Sequence, residues 1–468
     1  MIRSRLACLP AWLRSHPARA GALAGWIQQG ASLGSALLLV PVVTAFLPPA
    51  DAGMWFVFQG LTAMLLLVDL GFGFAVARQV AFTASRHERT AVTGFIDLAS
   101  GWDGLAQFFK LTHRLYLFLA VVSGLVGLGM LELVSSTGQL STIVSQPTRS
   151  CWYALVAAAI LLILAGGQAA FLNGLGAVYQ VRLLSAAYQG LAALGAACAA
   201  TMGWGLPGMG VAYTMAAALH YLGVVYIRRL AAPKLSFAVV PPLPSGSLGS
   251  LCRASLPIGG VNIFGSLMYT AQTPLLGLLL GPDKVTPFFL AQKIAFACNQ
   301  AVLHTVSPQM PFFTRQYGAA DFDGALKLMD KTNLRTALLA LVASTMFFLL
   351  SPVVAGIFLA DTEYLGPLPL GLMALDMFLL TVSVPYAWFV LNSGKNPFVI
   401  PTIVGGVLSL ILSVYLAPKF GVSGIPLSSI IAGLATSHWF AGWRGVTLRH
   451  QLKNAVFRRQ SLEKTIVQ

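Results

Sequence analysis

Three ionisable residues lie within long apolar segments of the sequence: Asp69, Lys293 and Asp376. A charge at the centre of a membrane helix costs about 2.5–3.5 kcal/mol on insertion scales, so such residues indicate binding sites, proton relays or buried ion pairs. Lys293 either binds a ligand or extends its ammonium group to the nearer membrane surface. Asp69 and Asp376 are either proton or cation sites, or structural partners of a cation on a neighbouring helix.

Polar residues form stripes along three of these apolar segments. Because a helix has 3.6 residues per turn, positions i, i+4, i+7 and i+11 share a face. The stripes are Gln28, Ser32 and Ser35 in the first segment, Asn262, Ser266, Tyr269 and Thr273 in the seventh, and Lys293, Gln300 and His304 in the eighth. Such faces contact protein or water rather than lipid, so they either line a cavity or form hydrogen bonds between helices.

The sequence has no catalytic or metal-binding pattern. Asp361 and Glu363 share a short predicted loop with no sizeable extramembrane domain around it, and the five cysteines lack metal or redox spacing. Gly71-Phe72-Gly73 lies in an apolar segment rather than after a strand, so it is not a phosphate-binding loop. We therefore expect neither an enzyme nor a bound cofactor.

The segments that carry these residues are long enough to cross a membrane. Of the 468 residues, 57% are hydrophobic and 9% are charged, against about 25% charged in soluble proteins. This composition excludes a soluble enzyme, a nucleic-acid-binding protein and a secreted domain. Since a crossing takes about 20 apolar residues, we predict about twelve transmembrane helices. The predicted spans are 22–46, 53–80, 113–134, 151–174, 183–202, 210–228, 254–280, 287–310, 336–358, 367–391, 398–416 and 424–443.

The net charge of +15 follows the predicted topology. If the N-terminus is cytoplasmic, 25 of the 29 Lys and Arg residues lie in inner segments and three lie in outer segments. By the positive-inside rule, this distribution predicts that both termini are cytoplasmic and that the number of spans is even. The excess of basic residues therefore reflects orientation in the membrane rather than an acidic ligand.

The two halves of the sequence resemble each other. Leu172-Asn173-Gly174 after the fourth span matches Leu391-Asn392-Ser393 after the tenth. Since each half has six spans, the halves are parallel repeats related by a pseudo-two-fold axis along the membrane normal, with a transport path between them. The predicted fold is all-α, with two six-helix lobes. The predicted regions are a basic interfacial arm (1–21), an N-lobe (22–228), a cytoplasmic linker (229–253), a C-lobe (254–443) and a basic cytoplasmic tail (444–468).

Short motifs in both halves carry a resemblance to a known family. They are Leu37 to Pro41, Leu47 to Trp55, Leu67 to Gly71 with Arg78, Leu280-Gly281-Pro282, Ala291-Gln292-Lys293, Pro308 and Pro311. Together they resemble the polysaccharide transporter family of Wzx-type O-antigen flippases, in the multidrug/oligosaccharidyl-lipid/polysaccharide exporter superfamily. The resemblance implies a central cavity lined largely by the first, second, seventh and eighth spans.

The resemblance also implies a substrate. It would be an undecaprenyl-diphosphate-linked oligosaccharide, moved by alternating access to the periplasmic leaflet of a bacterial inner membrane for polysaccharide synthesis. In this hypothesis Arg78 and Arg315 attract the diphosphate at the inner mouth, and Lys293 holds it in the cavity. The sugar path comprises Gln28, Ser32, Asn262, Ser266 and Tyr269, with Gln300 and His304 on the face of Lys293. Asp69 and Asp376 are the candidates for coupling to a proton or sodium gradient, and polymerase or assembly proteins are candidate partners.

Two other functions stay open. A cation-coupled multidrug exporter of the same superfamily would favour an acidic cavity; Asp69 fits this function, although the first span has no carboxylate. A membrane glycosyltransferase or polysaccharide polymerase would need a large outer loop with catalytic residues. The outer loops predicted here are about 20 residues or shorter, which disfavours such an enzyme.

Overall fold

The structure is a computed structural model. It describes residues 17–85, 102–136, 145–233, 246–306, 309–359, 364–393 and 396–467. Within these ranges the chain forms sixteen α-helices and no β-strand, so the predicted all-α fold is confirmed. The helices are α1 (Pro17–Phe46), α2 (Pro49–Leu66), α3 (Phe72–Ser85), α4 (Trp102–Ser136), α5 (Gln146–Gly174), α6 (Val178–Thr201), α7 (Gly205–Ala231), α8 (Ser247–Thr270), α9 (Gln272–Leu280), α10 (Val285–Val306), α11 (Met310–Gly318), α12 (Phe322–Phe358), α13 (Pro367–Asn392), α14 (Val399–Phe420), α15 (Gly424–Ala435) and α16 (Ser437–Val467).

Each predicted span coincides with a helix or with consecutive helices. By length and apolar composition, nine described stretches can cross a membrane, and the bent pair α8–α9 makes ten. One of the nine, Val399–Phe457, contains the twelfth predicted span and all but the first residue of the eleventh. Helix α10, which carries Lys293, is not among them. Large apolar side chains such as Ile357 and Ile400 are exposed on these helices, as expected of a lipid-facing surface.

Proline, glycine and aspartate set several helix boundaries. Pro49 and Pro367 begin α2 and α13, at positions where a backbone N–H has no helical partner to lose. Gly421, with φ of 58°, turns the chain between α14 and α15. The carboxylate of Asp321 accepts a hydrogen bond from the Gly324 N–H at 3.0 Å and caps α12. The residues between the eighth and ninth predicted spans are mostly helical, in α11 and the first turns of α12.

The second predicted span, 53–80, is interrupted rather than continuous. Its α-helix ends at Leu66, continues as the 3-10 turn Leu67–Asp69, and resumes as α3. Leu70 and Gly71 between them have φ values of 50° and 72°. Glycine adopts this left-handed conformation readily, whereas leucine does so at a cost. The break directs the Asp69 carboxylate towards the start of α3.

The seventh predicted span, 254–280, bends by 41° between α8 and α9. Pro274, in the first turn of α9, has no N–H to donate to the carbonyl of Thr270, which weakens the helix at this point. The prediction of one continuous polar stripe from Asn262 to Thr273 is therefore wrong at its end. Thr273 lies beyond the bend, on a different helix from the rest of the stripe.

The described residues divide into two compact units. The first lies within Met1–Ile263 and Gly281–Thr286, and the second within Phe264–Leu280 and Pro287–Gln468. The first has a buried aromatic core that includes Trp152, whose indole N–H donates to the carbonyl of Gly127 at 2.8 Å. The second has a core that includes Phe288, Phe347 and Met373. The predicted lobe boundaries stay a prediction. Parts of the predicted arm (1–16), linker (234–245) and tail (468) lie outside the described residues.

Candidate functional site

The bend between α8 and α9 is the centre of a polar cluster in the second unit. A helix end leaves carbonyl groups without helical partners, and Nε2 of Gln292 on α10 donates to the carbonyl oxygen of Tyr269 at 2.9 Å. The same nitrogen donates to Oε1 of Gln272 at 3.0 Å, and Oε1 of Gln292 accepts from the Thr273 hydroxyl at 2.9 Å. Gln272 donates in turn to the Ser429 hydroxyl on α15 at 2.5 Å. One glutamine side chain thus holds both sides of the bend.

A buried carboxylate accompanies this cluster. Asp376 on α13 is 6% exposed, and its Oδ1 has no hydrogen-bond partner among the described residues. Tyr269 interacts electrostatically with Asp376, and its hydroxyl also lacks a described hydrogen-bond partner. Buried polar atoms are nearly always hydrogen-bonded, so an unpartnered pair requires an explanation. Such a pair can accommodate a proton or a small cation.

Lys293 follows Gln292 on α10 and is half-buried. Its Nζ lies 5.0 Å from the centre of the Phe289 ring, one helical turn earlier. No carboxylate in the described ranges forms an ion pair with Lys293. The aromatic face supplies part of the stabilisation that an anion would give. The ammonium group therefore retains its capacity to bind an anion, although its role as a ligand-binding group stays a prediction.

Asp69 lies at the interrupted span of the first unit. Its Oδ1 accepts a hydrogen bond from the hydroxyl of Tyr116 on α4, and its Oδ2 accepts one from the Gly73 N–H at 3.3 Å. Gly73 is the second residue of α3, so the carboxylate lies at a helix N-terminus, where negative charge is stabilised. These contacts support the structural interpretation of Asp69, and its role in ion coupling stays a prediction.

Of the polar stripe on α1, Ser35 forms a hydrogen bond to another helix. The Ser35 hydroxyl donates to the carbonyl oxygen of Gln189 on α6 at 3.0 Å, which is a hydrogen bond between helices. Gln28 and Ser32 are half-buried on the same helix. The structure therefore gives Ser35 a packing role and leaves the proposed sugar-path role of Gln28 and Ser32 as a prediction.

The residues predicted on α8 and α10 are distributed over both units. Asn262 is exposed and belongs to the first unit, whereas Ser266 and Tyr269 are half-buried in the second. Gln300 and His304 are half-buried on α10, which also belongs to the second unit. Only Tyr269, Thr273 and Lys293 of the predicted stripes thus lie at or beside residues of the Gln292 cluster.

The two predicted inner-mouth arginines lie on separate short helices. Arg78 is exposed on α3 of the first unit, and Arg315 is exposed on α11 of the second. Thr314, next to Arg315, donates to Oδ1 of Asn392 at the end of α13 at 3.0 Å. This contact fixes α11 against the end of α13, and Asn392 is the asparagine of the second Leu-Asn repeat.

Polar residues in each unit were not predicted from the sequence. In the second unit this is Gln292, and in the first unit it is a separate group on α2, Trp55, Gln59 and Thr62, spaced at i, i+4 and i+7. Each of these three has a buried side-chain nitrogen or hydroxyl without a described partner, and the Trp55 ring packs edge-on against Tyr213 with centroids 5.1 Å apart. The spacing rule used for the other helices would have found this face of α2.

The described residues contain no group of three or more His, Cys, Asp or Glu placed to bind a metal ion. The groups described above are amides, hydroxyls, aromatic rings and isolated charges. Such groups bind and orient a solute or an ion, which is chemistry suited to transport.

Comparison with known proteins identifies the fold. No protein-family model and no curated protein matches the chain. A multidrug resistance MATE family transporter of the MOP superfamily, in an inward-facing conformation, matches with a TM-score of 0.73 and 14% identity over 90% of this chain and 96% of that one. An outward-facing transporter of the same description matches with a TM-score of 0.60 and 17% identity, over 94% and 97%.

A third solved structure is a MOP superfamily transporter from Pyrococcus furiosus, described as having a binding pocket of reverse polarity that suggests a different function. It matches with a TM-score of 0.63 and 16% identity over 93% of this chain and 97% of that one. The chain therefore has the fold of the MATE transporters of the MOP superfamily, which contain about twelve membrane helices.

Proposed function

We propose that this chain is a cation-coupled transporter that exports amphiphilic compounds across a bacterial inner membrane, with both termini in the cytoplasm. The observation that carries the proposal is the unpartnered Oδ1 of the buried Asp376, which interacts electrostatically with Tyr269, whose hydroxyl is equally unpartnered among the described residues. Carboxylates inside membrane segments mark ion pathways and proton relays. Multidrug resistance transporters among the solved structures of the same fold support this function.

The position of Tyr269 suggests how a cation could act on the protein. Tyr269 lies in the last turn of α8, and its carbonyl oxygen is held by Gln292 across the bend. A proton or sodium ion bound at Asp376 would neutralise the charge that acts on Tyr269. The protein would then shift to the angle between α8 and α9 that is more stable when Asp376 is neutral. A ligand shifts a conformational equilibrium only through such a difference in affinity between states. Alternating access would follow from that shift.

The exporter is tested by Asp376→Asn, with Asp323→Asn as the matched control. Asp323 is an exposed carboxylate that pairs with Lys327 at 2.6 Å on the same helix. A deletion strain that expresses wild type or Asp323→Asn should resist toxic amphiphiles, and Asp376→Asn at equal protein levels should not. In proteoliposomes, an imposed proton or sodium gradient should drive uptake or efflux of a fluorescent amphiphile only where Asp376 is intact. Equal gradient-driven transport by Asp376→Asn would contradict the coupling role.

A second function is supported by the ammonium group of Lys293, which has no anionic partner among the described residues. We propose as the alternative that the chain flips an undecaprenyl-diphosphate-linked oligosaccharide, with Lys293, Arg78 and Arg315 binding the diphosphate. The reverse polarity stated for the transporter from Pyrococcus furiosus is consistent with different pocket charges on this fold. Polysaccharide polymerase or assembly proteins would then be partners.

Lys293→Ala separates the two functions. In a deletion strain that expresses each variant in turn, the flippase predicts loss of polymer display with Lys293→Ala at normal protein levels, and retention of display with Lys293→Arg. The exporter predicts normal display in the deletion strain itself. Wild-type display by Lys293→Ala would remove Lys293 from the flippase mechanism.

A further inference from the structure

The last turn of α7 contains a buried arginine. His220, Val224, Arg228 and Ala231 share one face of the helix and are all buried. Arg228 is 8% exposed, and its Nε and Nη1 have no hydrogen-bond partner in the part of the chain that the structure describes. Arginine at a helix C-terminus commonly donates to the last carbonyl groups of its own helix. These two nitrogens make no such bond within the described ranges.

An aromatic platform fixes the guanidinium group. The Cζ atom of Arg228 lies 4.7 Å from the centre of the Phe109 ring on α4. Phe109 is itself held by Phe171, edge-on at 5.3 Å between centroids, and by His113, stacked at 6.2 Å. Stacking on an aromatic face orients the planar guanidinium group and leaves its in-plane N–H donors free to bind an acceptor.

The charges around this platform are mostly positive. Lys110 and Arg114 on α4 and Arg229 on α7 are exposed, and no carboxylate in the described ranges forms an ion pair with Arg228. Asp103, in the first turn of α4, is the acidic residue nearest to Phe109 in the sequence, and it is exposed. A cationic site that has no ion pair among the described residues fits a ligand that brings the negative charge.

We infer that Arg228 and the Phe109 platform form a binding site for the phosphate group of an anionic phospholipid headgroup. Arginine binds phosphate oxygens through several charge-assisted hydrogen bonds at once. The site lies in the last turn of an apolar helix long enough to cross a membrane, where lipid headgroups are the most abundant phosphates. It is distinct from the Gln292 cluster, because it lies in the first unit.

The test uses the purified full-length protein in a neutral detergent. Thermal unfolding and native mass spectrometry are measured with phosphatidylglycerol, with phosphatidylcholine and with inorganic phosphate. The variants are Arg228→Gln, Arg228→Met and Arg228→Lys, with Arg229→Gln as the control that removes an adjacent, exposed charge. Arg228→Met keeps an unbranched apolar side chain in the buried position and preserves a folded sample if the amide of Arg228→Gln is not tolerated.

Phosphatidylglycerol should raise the melting temperature of wild type and Arg229→Gln and should remain bound to both in the mass spectrometer. Its affinity should fall about tenfold or more in Arg228→Gln and Arg228→Met, as expected from loss of hydrogen bonds to a charged group, and less in Arg228→Lys. Equal binding by wild type and Arg228→Met would overturn the site. An effect of inorganic phosphate equal to that of phosphatidylglycerol would overturn the assignment to lipid.

Discussion

The amide Nε2 of Gln292 donates a hydrogen bond of 2.9 Å to the carbonyl oxygen of Tyr269, across the bend between α8 and α9. Pro274 has no N–H for the carbonyl of Thr270, which weakens the helix at the bend, and Gln292 supplies a donor from a neighbouring helix to the adjacent carbonyl of Tyr269. Broken membrane helices are tolerated where side chains satisfy the freed backbone groups. Gln292 therefore stabilises the bent form of the seventh span.

Gln292→Leu should destabilise the protein by about 2–4 kcal/mol. The substitution leaves the Tyr269 carbonyl, Gln272 Oε1 and the Thr273 hydroxyl without this partner, and an unsatisfied buried group costs about 1–3 kcal/mol. The measurement is the shift in thermal unfolding in detergent. Thr305→Val is the control, since Thr305 lies on the same helix and donates to the carbonyl of Val302 at 2.8 Å within that helix. Similar shifts for both variants would contradict the role of Gln292.

Tyr116→Phe should destabilise the interrupted second span. It removes the hydroxyl that donates to Asp69 Oδ1, so the carboxylate keeps only the Gly73 N–H of its two donors. A cost of about 1–3 kcal/mol is expected for the loss of a hydrogen bond to a half-buried charged group. The control is Tyr226→Phe, because Tyr226 is 64% exposed. If Tyr116→Phe has no further effect on stability once Asp69→Ala is present, the two side chains act as a pair, and fully additive effects would contradict this pairing.

The positions of the spans could be predicted because hydrophobicity is averaged over about 20 residues and is insensitive to single positions. The interruptions depend on individual residues. Pro274 was a usable signal for the bend, whereas nothing in the sequence marks Leu70 for a left-handed conformation. Asp376 could be singled out from the sequence as an acid within an apolar segment, whereas Gln292 was missed because it acquires its role from residues on other helices. Periodicity identifies which face of a helix is polar, but it does not identify the partner helix.

Gly259→Ala should disturb the break in the second predicted span, because Gly259 on α8 lies against the backbone of Leu70. A Cβ atom at Gly259 would lie 2.0 Å from the carbonyl oxygen of Leu70, so the backbone of one segment must move. Overpacking of this kind costs about 1–3 kcal/mol. Gly249→Ala on the same helix is the matched control, because a Cβ there would meet nothing within 4 Å. The melting temperature should fall for Gly259→Ala and not for Gly249→Ala, and the opposite order would refute the close approach.

Charge exchange between Asp330 and Arg449 should show that α16 is tethered to α12. Arg449 donates through Nε and Nη2 to the two carboxylate oxygens of Asp330, at 2.7 and 2.9 Å. The side chains are 46% and 38% exposed, so the coupling free energy should be only about 0.5–1 kcal/mol and should weaken with added salt. A double-mutant cycle with Asp330→Arg and Arg449→Asp measures it by thermal unfolding. Each single reversal should destabilise the protein, and the double reversal should restore most of the loss. Strictly additive effects would mean that the two residues do not stabilise the contact between these helices.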